Sequence, residues 1–143
     1  MRLSVQTDYA LRTLMYLAAH AGQHSIAKIA QQYGISKNHL MKVAQRLAAE
    51  GFVDSMRGRS GGLILNQPAA TINVGDVVRS FEEFGGFVEC FDANGNGCIV
   101  TPVCGLQHVL VGGIEAFLRH LDGFTLADLV GDKDRFRSVW DQA

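Results

Sequence analysis

All three cysteines of this 143-residue chain, Cys90, Cys98 and Cys104, lie within one short stretch that is rich in glycine and asparagine. Such a composition favours turns, so the stretch can curl around a ligand instead of joining a regular element. Cysteine thiolates are the protein ligands of structural zinc and of iron–sulfur clusters. The C-x7-C-x5-C spacing lacks the closely spaced cysteine pairs of structural zinc sites, which favours an iron–sulfur cluster.

Three thiols leave one position of a four-ligand site open. The residues that could fill this position are His108, one helical turn beyond Cys104; Glu89 or Asp92 within the loop; and Asp8, far away in the sequence. Three unconnected cysteines are the alternative, which is disfavoured because the cysteines cluster on a hydrophilic loop without the periodicity of a core element. The residues alone leave the fourth ligand undecided.

The composition predicts a soluble, globular protein. Apolar residues make up 48% of the chain and charged residues 19%, and no apolar run is long enough to span a bilayer. Near the N-terminus, Asp8 and Arg12 interrupt any apolar core of a signal peptide, so we expect a cytoplasmic protein. Thiols are kept reduced in that compartment, which favours metal binding over disulfides.

Charge is divided unevenly along the chain. Residues 1–62 carry eight Lys and Arg against three acidic residues, whereas the remainder carries five against eleven. A basic half of this kind predicts contact with a polyanion such as nucleic acid.

The elements that would position these groups begin with three helices. Ser4 caps the first helix, Ser25 precedes a second that stops at Gly34, and Ser36 precedes a third that runs to Gly51. Two helices joined by a short glycine-containing turn are typical of a helix-turn-helix, and a generic pair of packed helices is the alternative.

A basic hairpin follows the third helix. Residues 52–56 alternate as a short strand, residues 63–65 form a second strand, and a glycine- and arginine-rich tip joins them. A hairpin with a basic tip directly after the third helix describes a winged helix; a solvated turn is the alternative for the tip. We expect side chains at the start of the third helix to reach base edges in the major groove of double-stranded DNA, and basic residues behind them to contact phosphate or the minor groove. The first group is Ser36, Lys37, Asn38 and His39; the second is Lys42, Arg46, Arg57 and Arg59.

The C-terminal half predicts further helices. Asn73 caps one over residues 74–84, and Thr101-Pro102 begins the longest, whose apolar residues recur at steps of three and four. These residues are Val103, Leu106, Leu110, Ile114, Phe117 and Leu121. Such a seam predicts a dimer interface, with packing on its own chain as the alternative. Thr125 and Asp128 form a capping box, and we expect the charged segment 132–137 to be solvated.

These expectations define a mainly α fold: a winged helix-turn-helix with a two-stranded wing and a long C-terminal dimerisation helix. We expect a DNA-binding domain at residues 1–84, a cluster-binding loop at 85–104, and the dimerisation helix with the C-terminal tail at 105–143. No pattern predicts a substrate pocket, so an enzyme or electron carrier built on the same cluster is disfavoured.

Several motifs resemble those of the winged-helix iron–sulfur transcriptional regulators. They are MRL at 1–3, TDYALR at 7–12, YGISKNHLMKV at 33–43, RGRSGG at 57–62 and INVGDVVR at 72–79. Three more resemble the nitric-oxide-sensing repressors of that family: VECF at 88–91, CIVTPVCGL at 98–106 and FTLADL at 124–129. Together the motifs cover nearly the whole chain.

This resemblance implies a homodimeric repressor that holds its DNA operator while an iron–sulfur cluster is intact and releases it when nitric oxide attacks the cluster. It implies that Cys90, Cys98 and Cys104 are ligands, with Asp8 of the partner subunit as the fourth, and [4Fe-4S] is favoured over [2Fe-2S]. IscR-type members, which report cluster supply or redox state, instead use a His shortly after the third cysteine. Gln107 occupies that place here and His108 is one residue further on.

Overall fold

The computed structural model describes residues 2–56, 58, 61–92 and 95–141. In this part of the chain the fold is mainly helical with one two-stranded antiparallel sheet, which confirms the predicted fold class. The helices are α1 (Val5–Ala19), α2 (Ile26–Tyr33), α3 (Lys37–Ala49), α4 (Val74–Phe81), α5 (Leu106–Asp122), α6 (Leu126–Val130) and α7 (Lys133–Asp141); the strands are β1 (Val53–Met56) and β2 (Gly62–Leu65). Short 3-10 turns lie at Ala69–Thr71, Phe84–Gly86, Glu89–Phe91 and Thr101–Val103.

Helix α1 lies at the centre of the core. Ser4 caps it as predicted, its hydroxyl oxygen accepting from the Thr7 N–H. Leu14 and Tyr16 are among its fully buried side chains, and α1 contacts α3, α4, α6, α7 and β2. Because α1 contacts these five elements, a shift of this helix would change the packing of all of them.

The helix-turn-helix consists of α2 and α3. The Ser25 hydroxyl accepts from the Lys28 N–H, and Gly34 ends α2 in the left-handed conformation (φ 62°), which glycine adopts without strain. The Ile35 N–H then donates to the Ala30 carbonyl at 2.9 Å, which closes the turn. Leu40 is among the residues that bury the inner face of α3. The opposite face of α3 is thereby directed to solvent.

The wing is attached to the helical core through the segment that precedes α2. Val53 pairs with Leu65 and Met56 with Gly62 in the β1–β2 register. His24 forms a bridge to Leu63 through reciprocal backbone hydrogen bonds of 3.0 and 2.8 Å. These bonds fix the base of the wing relative to the helix-turn-helix. The two tip arginines lie outside the described residues.

Two helix boundaries differ from the predicted ones. Helix α4 ends at Phe81 instead of residue 84, because Glu82 adopts an extended backbone and its carboxylate turns back to α1. The long helix α5 begins at Leu106 instead of Pro102, because the Thr101 hydroxyl donates to the Cys98 carbonyl (2.9 Å) instead of capping a helix. The prolyl segment forms a separate 3-10 turn.

An exposed ion pair holds α5 on α4. Arg79 donates to both carboxylate oxygens of Asp122 at 2.6 and 2.7 Å, and these hydrogen bonds lower the pKa of Asp122 and raise that of Arg79. Gly75 makes the approach possible, since a Cβ there would lie 2.0 Å from Asp122 Oδ1. The C-terminal end of α5 is thereby fixed to α4.

The last two helices return to α1. Thr125 and Asp128 form the predicted capping box of α6. The charged residues at the start of the next segment are exposed as expected, but the segment forms α7, and Trp140 packs edge-on against Tyr16 at 5.2 Å between ring centroids. Within the described residues, no helix is long and apolar enough to cross a membrane.

Candidate functional site

The outer face of α3 presents most of the residues expected to read DNA. Lys37, Asn38, His39 and Lys42 are all exposed, and Ser36 immediately precedes the helix. The Ser36 hydroxyl makes no capping hydrogen bond within the described part of the chain, so its oxygen is free to contact a ligand. A cleft of about 300 Å³ separates α3 from the wing and is lined partly by Lys37. The arrangement suits insertion of α3 into the major groove of DNA, with the wing lying beside it.

The structure places Arg46 differently from the other candidates. Its guanidinium carbon lies 4.9 Å from the centroid of the Phe81 ring, and the residue is half-buried in the last turn of α3. This distance is within the range of a cation–π contact. Arg46 therefore joins α3 to α4. Arg57 and Arg59, the expected wing contacts, lie outside the described residues.

The cysteine loop, residues 85–104, is held together by its own polar side chains. Glu89 accepts a hydrogen bond from the Gly97 N–H at 3.0 Å, which closes the loop between the first two cysteines. The Cys98 N–H donates to Asn96 Oδ1 at 3.0 Å, and the Cys98 carbonyl accepts from Thr101. The backbone around the second thiol is thus fixed on both sides.

Gln107 anchors the first cysteine to α5. Its side-chain amide donates to the Cys90 carbonyl at 2.8 Å, across 17 residues of sequence. From the sequence, Gln107 marks only a departure from a histidine ligand. The structure gives this residue a positive role that an amide donor can perform and that sequence spacing alone does not reveal. His108, the alternative ligand, is exposed on the next position of α5.

The three thiols are free and half-buried. Their number and softness suit an iron–sulfur cluster. In the described part of the chain, however, no group of three or more His, Cys, Asp or Glu residues is placed to hold a metal ion. The donor types therefore fit a cluster, although the described residues do not bring these donors together.

Asp8 lies in the first turn of α1 and is partly exposed. Its carboxylate accepts a hydrogen bond from Arg12 Nε at 3.0 Å, and its side chain is 47% exposed. The Arg12 guanidinium also lies 5.9 Å from the ring centroid of Tyr33, the last residue of α2. Burial raises the pKa of Tyr33 to about 12. The Asp8–Arg12 ion pair is thus connected to the helix-turn-helix through the contact between Arg12 and Tyr33.

Helix α5 leaves an apolar face uncovered. Ile114 is the only fully buried residue of this 17-residue helix, all of which is described. The predicted seam does not form this face as a whole, because Ile114 is buried, Leu110, Phe117 and Leu121 are half-buried, and Val103 lies before the helix. The exposed residues at helical spacing are instead Leu106, Val109, Gly113 and Ala116, of which only Leu106 belongs to that seam. A helix of this length that buries so little on its own chain has an unpartnered face.

A helix-turn-helix whose second helix has an exposed polar face, with a two-stranded wing beside it, defines a winged-helix DNA-binding protein. The chain belongs to the Rrf2 family, described as iron-dependent transcriptional regulators, whose family model matches residues 3–132. It is 52% identical over 136 residues to the HTH-type transcriptional regulator NsrR of Bacillus subtilis (strain 168), with 94% of this chain and 93% of that protein covered.

Solved structures of two other regulators share this fold. The oxidised form of CymR from Staphylococcus aureus superposes with a TM-score of 0.72 at 26% identity, covering 92% of this chain and 97% of that one. IscR of T. potens gives a TM-score of 0.72 at 28% identity, covering 92% of this chain and 88% of that one. The chain is therefore a DNA-binding transcriptional regulator.

Proposed function

We propose that the protein is a homodimeric repressor that senses nitric oxide through an iron–sulfur cluster and releases its operator when nitric oxide attacks that cluster. The observation that carries the proposal is the set of three free, half-buried cysteines on one fixed loop, in a chain 52% identical to a regulator named NsrR. In this proposal residues 1–84 read DNA, residues 85–104 hold the cluster, and residues 105–143 provide the dimer contact and tail. The cluster is [4Fe-4S] in preference to [2Fe-2S].

The proposed ligands are Cys90, Cys98 and Cys104 of one subunit and Asp8 of the partner subunit. A bound cluster would supply the iron with which nitric oxide reacts. Asp8 contributes a hard carboxylate to a set of soft thiolates, so we expect its bond to be the one most readily exchanged. When that bond is lost, Asp8 is free to pair with Arg12 of its own chain, as it does in the structure.

Association of two copies through α5 supports this ligand set. Three thiols from one chain require a further donor, and the uncovered face of Leu106, Val109 and Gly113 begins only two residues after Cys104. Among the described residues, no neighbouring side chain lies within 4 Å of a Cβ built at Gly113, so another backbone can approach closely there. A two-fold dimer formed on this face would bring the cysteine loop of one chain near the other chain.

Anaerobic purification followed by titration tests the proposal. The visible spectrum and the iron and sulfide content are recorded first, and nitric oxide is then added while binding to a duplex selected from a random-sequence pool is followed. We expect stoichiometric release and a steep loss of affinity with added salt, because phosphate contacts release counterions. A loaded protein that holds the duplex at every nitric oxide concentration would refute the proposal.

An IscR-like function is the second candidate, in which the protein reports cluster supply or redox state. The superposition on IscR and the exposed His108 beside the cysteine loop favour it. Release driven by peroxide or iron depletion, without a response to nitric oxide, would support this alternative. A His108→Ala variant with an altered visible spectrum would identify His108 as the ligand in place of Asp8.

A further inference from the structure

The first turn of α1 is completed by a carboxylate from a distant part of the chain. Glu82 Oε1 accepts hydrogen bonds from the Ser4 backbone N–H at 2.6 Å and from the Thr7 hydroxyl. In an ordinary capping box, a Glu or Gln three residues into the helix satisfies the N-cap N–H. Thr7 occupies that position here, and Glu82 supplies the carboxylate across 78 residues of sequence.

The hydrogen bonds from Ser4 and Thr7 to Glu82 fix the geometry of the first turn of α1. Thr7 is completely buried, and Glu82 is half-buried at the residue that follows α4. A carboxylate at a helix N-terminus is favoured by the helix dipole, and hydrogen bonds to a charged acceptor are stronger than neutral ones. Asp8 comes directly after Thr7, so the carboxylate of Glu82 sets the position of the turn that carries Asp8.

The neighbour of Glu82 faces the DNA-reading unit. Phe81 is buried, and its ring lies beneath the guanidinium of Arg46 in the last turn of α3. Phe84 begins the 3-10 turn that leads into the cysteine loop. A cleft of about 470 Å³ opens beside Phe81, Glu82 and Arg46, which leaves room for these side chains to rearrange. The start of α1, the last turn of α3 and the segment that leads into the cysteine loop therefore meet at the end of α4.

We propose that Glu82 is the positioning residue that couples the state of the cysteine loop to the α1 turn carrying Asp8 and, through Phe81, to α3. This inference rests on the proposed function and deepens it. A conformational change in the cysteine loop is transmitted to the end of α4 in the same chain. Asp8, on the adjoining helix α1, is the proposed ligand of the cluster held by the partner subunit. The two cluster sites of a dimer are thereby linked through Glu82.

The test compares the operator affinity of the cluster-loaded protein with that of the empty protein. The probe is one duplex selected from a random-sequence pool by the loaded wild-type dimer. The variants are Glu82→Ala, Glu82→Gln and the control Glu83→Gln. Glu83 is the exposed neighbour and makes no hydrogen bond or ion pair in the described part of the chain. Amide hydrogen exchange of a peptide covering residues 2–10 is measured in parallel.

We expect a loaded-to-empty affinity ratio of about tenfold or more in the wild type, within the usual range of coupling between sites. Glu82→Ala should reduce this ratio to about twofold or less and accelerate exchange in the peptide, whereas Glu83→Gln should change neither. Glu82→Gln should recover part of the ratio because its amide oxygen still accepts hydrogen bonds. A merely structural role would weaken both forms together and leave the ratio unchanged.

The possible failures are distinguishable. A loaded Glu82→Ala protein with the wild-type ratio would overturn this inference and leave the proposed function intact. Equal affinities of loaded and empty wild-type protein would overturn both. If Glu82→Ala does not fold, Thr7→Val is used instead, because it removes the hydroxyl that donates to Glu82. This variant is also expected to lower the loaded-to-empty affinity ratio. An unchanged affinity ratio in Thr7→Val would equally overturn the inference.

Discussion

Replacing Val109 by Glu tests the proposed dimer face directly. Val109 is 71% exposed on α5, so most of its apolar surface remains available for burial against a second copy. Full burial of such a side chain stabilises by about 1.5–3 kcal/mol, which leaves about 1–2 kcal/mol per subunit at this exposure. Two-fold symmetry doubles the loss to about 2–4 kcal/mol, or about 30- to 700-fold in the dimer dissociation constant. The carboxylate adds a desolvation cost in the same direction.

Val139 provides a matched control. It is 66% exposed on α7, a different surface, and Val139→Glu introduces the same charge. Sedimentation over a range of protein concentrations measures the dissociation constant of each variant, and gel shifts on the selected duplex measure operator binding. We expect Val109→Glu to dissociate and lose operator affinity, while Val139→Glu behaves as wild type. Equal dissociation constants for the two variants would show that α5 does not form the interface.

Three further predictions concern the other parts of the molecule. Asp8→Ala is expected to change the visible spectrum of the anaerobically purified protein and its nitric oxide dose response; wild-type values for both would exclude Asp8 as a ligand. Trp140→Ala should lower the free energy of unfolding by about 2 kcal/mol, roughly half the cost of deleting a fully buried Trp, in urea titrations where Val139→Ala changes little. Burial lowers the pKa of His24, so its contribution to stability is complete above the unfolded value near 6.5 and is lost as pH falls through the lower folded value. Between about pH 7 and about pH 5, urea midpoints should therefore fall less in His24→Gln than in wild type, and parallel pH profiles would contradict this assignment.

Local signals account for the parts of the fold that the sequence predicts well. Ser4, Ser25 and the Thr125–Asp128 box cap their helices as expected, because each cap involves residues three apart. Gly34 ends α2 for an equally local reason, the left-handed conformation. Such contacts form wherever the residues occur, so a pattern is enough to identify them.

The misplaced boundaries arise from hydrogen bonds that no helical pattern identifies. Helix α4 is cut short by a non-local contact, in which the Glu82 carboxylate engages the start of α1. The start of α5 shifts for a local reason, because the Thr101 hydroxyl donates to the Cys98 carbonyl three residues earlier instead of capping a helix. The charged residues at the start of α7 predict a solvated segment and give no sign that Trp140 is packed. The packing of Trp140 depends on aromatic neighbours from α1 and α2.

The candidate site is predictable in its chemistry but not in its geometry. Cysteine type and clustering identify Cys90, Cys98 and Cys104 as soft donors, and the structure shows that all three are free. Their assignment as ligands, together with Asp8, stays a prediction, because the described residues do not bring these donors together. Arg46 illustrates the same limit, since only the fold reveals its contact with Phe81.

The central position of α1 has a consequence for synthesis on the ribosome. This helix precedes every element that it packs against, and its partners extend from α3 to α7. The carboxylate that completes its first turn arrives 78 residues later, and the Trp140 ring that covers Tyr16 arrives later still. The apolar face of α1 therefore emerges long before its native partners, and contacts of such high sequence separation form slowly. Helix α1 is therefore made before its partners and is among the last of these elements to reach its final environment, so a nascent chain of this protein offers a long interval for chaperone binding.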